Sequence, residues 1–425
     1  MKTLNQFKNF ALVAVVLFSI SCSSDEDFLN GKRADGKTSL FDEVTEPEVP
    51  IDHASEGVYT DSFYLSSSSG SGGAWSGSGE WGSGNPNGEF EAGTLTAGEW
   101  SDLEHWDFWN DLLSNQEYYE DVNRWGLKKI ERYSFLVLDN QGAAVANAEV
   151  SLMIDEVEVW KTKTDSKGRA TLWSDLGLNT PSALIKMGAV EEEVFGVINY
   201  AEGINEVALS TTVSNQKVMD IYFAVDATGS MMDEIDYLKA ELIHVIQQVR
   251  MDHPTLEMRF GSVFYRDEGD DYLTRDFGFT TDEESLVDFI RDQNANGGGD
   301  FPEAVHSALN LAITQNTWDR DASSRILFLL LDAPPHYTQD VISDLEDNLI
   351  RAAENGIKII PITASGIDKS TEFLMRSFAI LTNGTYVFIT DDSGVGNDHL
   401  EPTIGDYEVE KLNDLLVRLV GENVP

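Results

Sequence analysis

The run Ile326-Leu327-Phe328-Leu329-Leu330-Leu331 has no polar side chain in six residues, and a strand of that kind is stable only where both of its faces are covered. From Lys217 to the C-terminus, strand-like and helix-like runs alternate around it. They are Val218 to Val225, Met231 to Met251, Leu256 to Tyr265, Ser285 to Arg291, Glu303 to Thr314, Asp344 to Glu354, Ile357 to Ile362, Glu372 to Leu381, Tyr386 to Ile389 and Tyr407 to Val420. Such alternation predicts an α/β domain with a doubly wound, mostly parallel sheet over residues 213–425. Ligand sites of these sheets lie beyond the carboxyl ends of the strands, so polar residues at strand ends are the candidates for chemistry.

Three strand-end or loop segments qualify. The first strand finishes in Asp226-Ala227-Thr228-Gly229-Ser230, which sets hard oxygen donors at i, i+2 and i+4. Ile326 to Leu331 is followed by Asp332, and the loop Gly297-Gly298-Gly299-Asp300-Phe301-Pro302-Glu303 precedes a helix. Carboxylates and hydroxyls without thiols or imidazoles favour Mg²⁺, Mn²⁺ or Ca²⁺ over zinc. Taken singly, Asp226 serves as a helix cap, Asp300 as a turn residue and Asp332 as the end of a strand. Together on one sheet edge they predict a divalent-cation site. Asp267, Asp270 and Asp271 lack the spacing and terminal Glu of a Ca²⁺ loop, and a solvated turn is expected there.

These segments resemble the von Willebrand factor type A domain, whose metal-ion-dependent adhesion site has the pattern Asp-x-Ser-x-Ser, a loop Thr and a later Asp. The resemblance implies that Asp226, Thr228 and Ser230 are the first ligand set, that Asp332 is the later Asp, and that Asp300 takes the position usually held by Thr. "GGGDFPEA" and "FYRDEGDDYLTRDFGFT" are similar to the hemicentin-like branch of that family. The family leaves one metal position for an acidic residue of a partner. With Asp226, Asp300 and Asp332 around one dication, firm metal retention and a weakened pull on an outside carboxylate are expected.

The N-terminus reads differently. Lys2 and Lys8 precede an apolar stretch from Phe10 to Ile20, the layout of a secretory signal over residues 1–21. Such a stretch is too short to span a bilayer as a helix. Ser19-Ile20-Ser21-Cys22 resembles the lipobox of bacterial lipoproteins, which implies cleavage before Cys22 and its lipidation. Cys22 is the sole cysteine, so no intramolecular disulfide forms. Ser23-Ser24-Asp25-Glu26-Asp27 looks like the signal that sends lipoproteins of some Gram-negative lineages to the cell surface. The expected location is therefore the outer membrane, lipid-anchored and surface-exposed.

Residues 22–95 are expected to be a flexible, disordered tether. No Lys or Arg occurs between Thr38 and Asn123, and 16 of the 23 residues from Ser66 to Gly88 are Gly or Ser. About 70 such residues have a root-mean-square reach of ~45 Å. Over 96–128, Ser101 and Glu104 fit a capping box, and apolar spacing predicts a short amphipathic helix starting near Asp102 and packing on a neighbouring domain. Residues 129–212 alternate like strands with turns at Asp139-Asn140-Gln141-Gly142 and Asp165-Ser166-Lys167-Gly168. They resemble the carboxypeptidase-regulatory-like, immunoglobulin-like β-sandwich, which implies a spacer or docking module.

Charge and motifs narrow the function. With 74 acidic against 29 basic residues and a formal net charge of −45, the chain lacks the basic balance that phosphate backbones require, and no nucleic-acid partner is expected. No HExxH spacing or Walker-type loop occurs. The Asp226 loop is faintly similar to that of haloacid-dehalogenase-type phosphatases, but Thr228 stands where that family needs an acid. The expectation is a non-enzymatic lipoprotein that binds a protein or extracellular-matrix ligand, through an acidic side chain, at a divalent ion. The alternatives are a scaffold with a vestigial site and a metal-dependent phosphatase-like hydrolase.

Overall fold

The computed structural model describes residues 38–42, 90–175, 181–299 and 301–424. The signal segment, Cys22, most of the expected tether and Asp300 lie outside these. The chain between 90 and 125 forms β1 (Thr96–Trp100), α1 (Trp106–Ser114) and α2 (Tyr119–Arg124). Two small sheets follow, built from β2 (Ile130–Leu138), β3 (Glu149–Ile154), β4 (Val157–Lys163), β5 (Arg169–Asp175), β6 (Ser182–Met187), β7 (Val190–Val194) and β8 (Asn205–Ala208). Their orders are β5-β2-β8 and β4-β3-β6-β7, and residues such as Val137, Leu172, Val150 and Ile185 belong to one buried cluster.

The remainder comprises β9 (Val218–Asp226), α3 (Ile235–Asp252), β10 (Glu257–Tyr265), β11 (Thr274–Thr280), α4 (Glu283–Arg291), α5 (Val305–Asn310), β12 (Ser324–Leu331), α6 (Gln339–Asn355), β13 (Ile357–Thr363), α7 (Lys369–Leu381), β14 (Tyr386–Ile389), β15 (Glu410–Lys411) and α8 (Leu412–Glu422). Its sheet runs β11-β10-β9-β12-β13-β14-β1-β15. The five strands from β10 to β14 in that order are parallel, while β11, β1 and β15 each pair antiparallel.

Every residue of β12 is buried, as its lack of polar side chains requires. Ile326, Phe328 and Leu330 join the cluster with α3 and α8 residues such as Leu242 and Leu416. Leu327, Leu329 and Leu331 join the other, with Leu345 and Phe373 of α6 and α7. Alternate side chains of one strand thus enter two cores, as the doubly wound expectation demands. Helix ends are set locally: Thr338 accepts from Val341 N at 3.3 Å, Asp368 accepts from Thr371 N at 2.8 Å, and Gly356 closes α6 at φ 67°.

The segment ahead of the small sheets departs from expectation. Residues 96–100, expected to lead into a helix, are a strand of the main sheet, and the helix starts at Trp106. Gly98 permits this, because a Cβ there would run into the ring of Phe388 on the neighbouring strand. Asp102 is committed elsewhere. Arg376 of α7 donates to it twice, Nε to Oδ2 at 2.8 Å and Nη2 to Oδ1 at 2.6 Å, and Trp100 Nε1 donates at 2.9 Å.

Residues 38–42 and 90–95, read as part of the tether, are also docked. Thr38 N donates to Val159 O at 3.2 Å, Leu40 N to Glu346 Oε1 at 2.7 Å and Asp42 N to Gly126 O at 2.7 Å. The backbone amides of Gly93, Thr94 and Leu95 all donate to the carboxylate of Glu241, at 2.7 to 3.1 Å. Buried Leu40, Phe41 and Leu95 supply the apolar contact that holds these stretches.

Candidate metal centre

β9 delivers Asp226 to the carboxyl edge of the sheet, fully buried. Its Oδ1 accepts from Thr228 N at 2.9 Å and from Thr228 Oγ1 at 2.7 Å, and that hydroxyl lies 3.1 Å from Ser230 Oγ. The chain therefore turns at once, with the carboxylate and two hydroxyls on one side of the loop. Asp226 Oδ2 has no hydrogen-bond partner among the described residues. Burial raises the pKa of Asp226, against the Thr228 hydrogen bonds that lower it.

Next to it in the sheet, β12 ends and Asp332 follows, 4 % exposed and with Oδ1 likewise unpartnered among the described residues. Burial raises its pKa, and the charge of Asp226 adds to the shift. Of the predicted ligands, the structure thus gathers Asp226, Thr228, Ser230 and Asp332 into one electrostatic neighbourhood. Asp300 lies outside the described residues.

The glycine loop closes the other side. Gly229 N donates to Gly297 O at 3.1 Å, and Gly297 and Gly298 have φ of 82° and 70°, a conformation glycine adopts without strain. A Cβ on Gly297 would strike the carboxylate of Asp270, whose Oδ2 instead accepts from Gly298 N at 2.8 Å. A Cβ on Gly298 would sit 2.9 Å from Glu303 Oε1 and 3.4 Å from Thr228 Cβ. Glu303 is thereby placed beside the Asp226 loop.

In the sequence, Glu303 marks only the expected start of a helix. It is 2 % exposed, its N donates to Pro334 O at 2.8 Å, and its Oε2 has no partner among the described residues. Its carboxyl is pushed up to about 9, by burial first and then by the charges of Asp226, Asp267, Asp332 and Asp270. Tyr265, fully buried at the end of β10, is held well above the usual tyrosine range by burial and by Asp226, Asp332 and Glu303.

Asp267 and Asp270 are not the solvated turn expected. Asp267 is buried and meets His336 Nε2 at 2.6 Å, while Asp270 binds the glycine loop and Asp267 N. His336 stands 69 positions away, so no local pattern announces the pair. On the remaining side His399 lies 3.1 Å from Glu234 Oε1 and 2.8 Å from Asp391 Oδ1. Burial lowers its pKa, but the hydrogen bonds to Glu234 and Asp391 outweigh that and leave it raised.

The donor set suits a hard cation: buried carboxylate oxygens without partners, with hydroxyls beside them. Among the described residues no three of His, Cys, Asp and Glu group as they would around a metal ion; beside the Asp226 carboxylate stand the hydroxyls of Thr228 and Ser230 instead.

A family model described as von Willebrand factor A domain matches residues 220–379. Over 139 residues the chain is 34 % identical to "Putative ariadne-like RING finger protein R811" of Acanthamoeba polyphaga mimivirus, covering 33 % of this chain and 13 % of that protein. It is 24 % identical over 210 residues to "Alpha-protein kinase vwkA" of Dictyostelium discoideum, covering 48 % and 33 %. "von Willebrand factor A domain-containing protein 7" of Homo sapiens is 34 % identical over 116 residues, 27 % and 12 % of the two chains. The chain thus spans a third or less of the length of each of these relatives. Among solved structures, the conserved hypothetical protein BatB from Bacteroides thetaiotaomicron matches 48 % of this chain and 98 % of its own with a TM-score of 0.34 at 13 % identity.

Proposed function

We propose, from the premise that residues 220–379 are a von Willebrand factor A domain, that the chain is a lipid-anchored surface protein binding a protein or matrix ligand through a divalent ion. Domains of this family commonly mediate protein–protein interactions, and the role is binding without catalysis. The observation that carries the reading is the pair Asp226 and Asp332, both buried, each keeping one carboxylate oxygen without a partner among the described residues. Burying a carboxylate unanswered is costly, and a cation removes the cost.

Asp226, Thr228, Ser230 and Asp332 would hold the ion, with Asp300 as a further donor. Mg²⁺ is proposed as the ion ahead of Mn²⁺ and Ca²⁺, all three of which suit carboxylate and hydroxyl oxygens. When bound, the ion supplies positive charge for an anionic group of the partner. Thr228 holds Asp226 Oδ1 and leaves Oδ2 available to an ion, and Gly297 fixes the loop through the bond from Gly229 N to its carbonyl. Anchoring is assigned to Cys22.

Purified chain, melted in chelator and then with Mg²⁺, Mn²⁺ or Ca²⁺, tests the site. A saturable rise in melting temperature that Asp226→Ala abolishes is expected. No response to any ion in the parent leaves the second reading, a scaffold with a vestigial site. Metabolic labelling with palmitate, lost in Cys22→Ser, tests the anchor, and protease treatment of intact cells tests surface display.

A further inference from the structure

Glu303 joins its loop to the residues after β12 through its backbone amide, which donates to Pro334 O, and its side chain takes no part in that bond. Its side chain is nevertheless buried to 98 %, by its 2 % exposure. Its Oε1 lies against Gly298, the glycine that also flanks Thr228, with Oε2 free among the described residues, in a place where the charges of Asp226, Asp267, Asp332 and Asp270 oppose its ionisation. In the metal-free protein a proton answers that placement, the carboxyl being pushed up to about 9. A dication held by Asp226 and Asp332 would take over that role and leave Glu303 as a carboxylate in its field.

We propose that Glu303 is an internal rival to an acidic partner: its carboxylate meets from within the demand for a further anion that the bound cation creates, so the loaded site resists outside carboxylates. This rests on the metal reading above and adds its regulation. A partner with a single carboxylate has to displace Glu303 from the cation's field, and it binds firmly only where other contacts accompany the acid. The selectivity follows from charge balance, because two positive charges are already exceeded before the partner arrives.

The test uses Mn²⁺ as the ion and acetate as the carboxylate probe. Bound Mn²⁺ speeds the relaxation of solvent water protons, and acetate lowers that effect as it displaces water from the ion. Wild type, Glu303→Gln, Glu303→Asp and Glu268→Gln are loaded with saturating Mn²⁺ and titrated with acetate. Glu268 is an exposed acid in the neighbouring loop and reports general charge effects. Acetate is expected to bind Glu303→Gln about tenfold more tightly than wild type or more, on the scale of removing one close like charge. Glu303→Asp and Glu268→Gln are expected to stay near wild type.

Equal acetate affinity in wild type and Glu303→Gln overturns the proposal, as does equal tightening in Glu303→Gln and Glu268→Gln. If Glu303→Gln fails to fold, Glu303→Ser replaces it with the same expectations. Wild type and Asp226→Ala that both fail to bind Mn²⁺ bring down the metal reading itself, a result separate from loss of the rivalry alone.

Discussion

At the junction of the aromatic segment with α7, Arg376 is fully buried and every side of its guanidinium is answered. It donates to both Asp102 oxygens, to Glu372 Oε1 at 3.0 Å and to Thr403 O at 2.8 Å, and it lies 5.0 Å from the centre of the Trp109 ring. At the strand-end loops Asp226, Asp332 and Glu303 are buried to nearly the same degree, yet each leaves an oxygen without a partner among the described residues. Both groups remove charge from water, which costs several kcal/mol per ion unless it is compensated. The junction compensates with its own residues and so serves architecture. The loops leave those oxygens unanswered among the described residues, and the proposed metal site rests on that difference.

The largest effect is expected from breaking the closed group. Asp102→Ala leaves buried Arg376 with Glu372 as its remaining counter-charge and two of its donors unanswered, and should cost ~3 kcal/mol in urea unfolding, with or without metal. A loss below ~1 kcal/mol would mean that the junction relaxes without it. For the open group, metal at a hundredfold excess over its dissociation constant should add about 2.7 kcal/mol to wild type and nothing to Asp226→Ala. Equal gains in both would place the ion elsewhere.

The comparison is sharpened by pH. Glu303 has a folded pKa of about 9, above its ordinary value, so folding favours the protonated form. Asp226 and Asp332 are shifted in the same sense. In chelator, stability should therefore fall as pH rises from the ordinary carboxylate range towards about 9, and saturating metal should flatten the slope. Melting curves across that range check it, and a rising trend in chelator would contradict the burial of these groups. The smallest effect is reserved for an exposed pair. Arg124 and Asp368 meet at 2.9 Å with side chains 47 % and 37 % exposed, and Arg124→Ala should cost no more than ~1 kcal/mol.

What could be read from the residues alone follows the range of the interactions. β12 was legible because its burial on both faces is written into consecutive positions. The closeness of Asp226, Thr228, Ser230 and Asp332 could be expected because they stand at, or within four residues of, the ends of two neighbouring buried strands. β1 was not, since Thr96-Ala97-Gly98-Glu99-Trp100 has no strand signature and becomes a strand through its register with β14, Ala97 opposite Ile389 and Trp100 opposite Tyr386. Asp102 looked like the start of a helix because its true partner is 274 positions away. Glu303 had one available signal, an acid just after Pro302 in the loop that carries Asp300.

On the proposed attachment at Cys22, the docking of residues 38–42 would limit how far the folded body can stand from a membrane. If the chain is held at Cys22, only the steps from there to Thr38 count as leash, and at most ~3.5 Å per residue gives about 55 Å, however that stretch is arranged. The Gly/Ser-rich residues lie between two seated flanks, Asp42 bonded to Gly126 on one side and Gly93 to Glu241 on the other. They lengthen nothing. A protease cut among them would leave both fragments gripped by the same folded body, so the protein would be nicked without being shed.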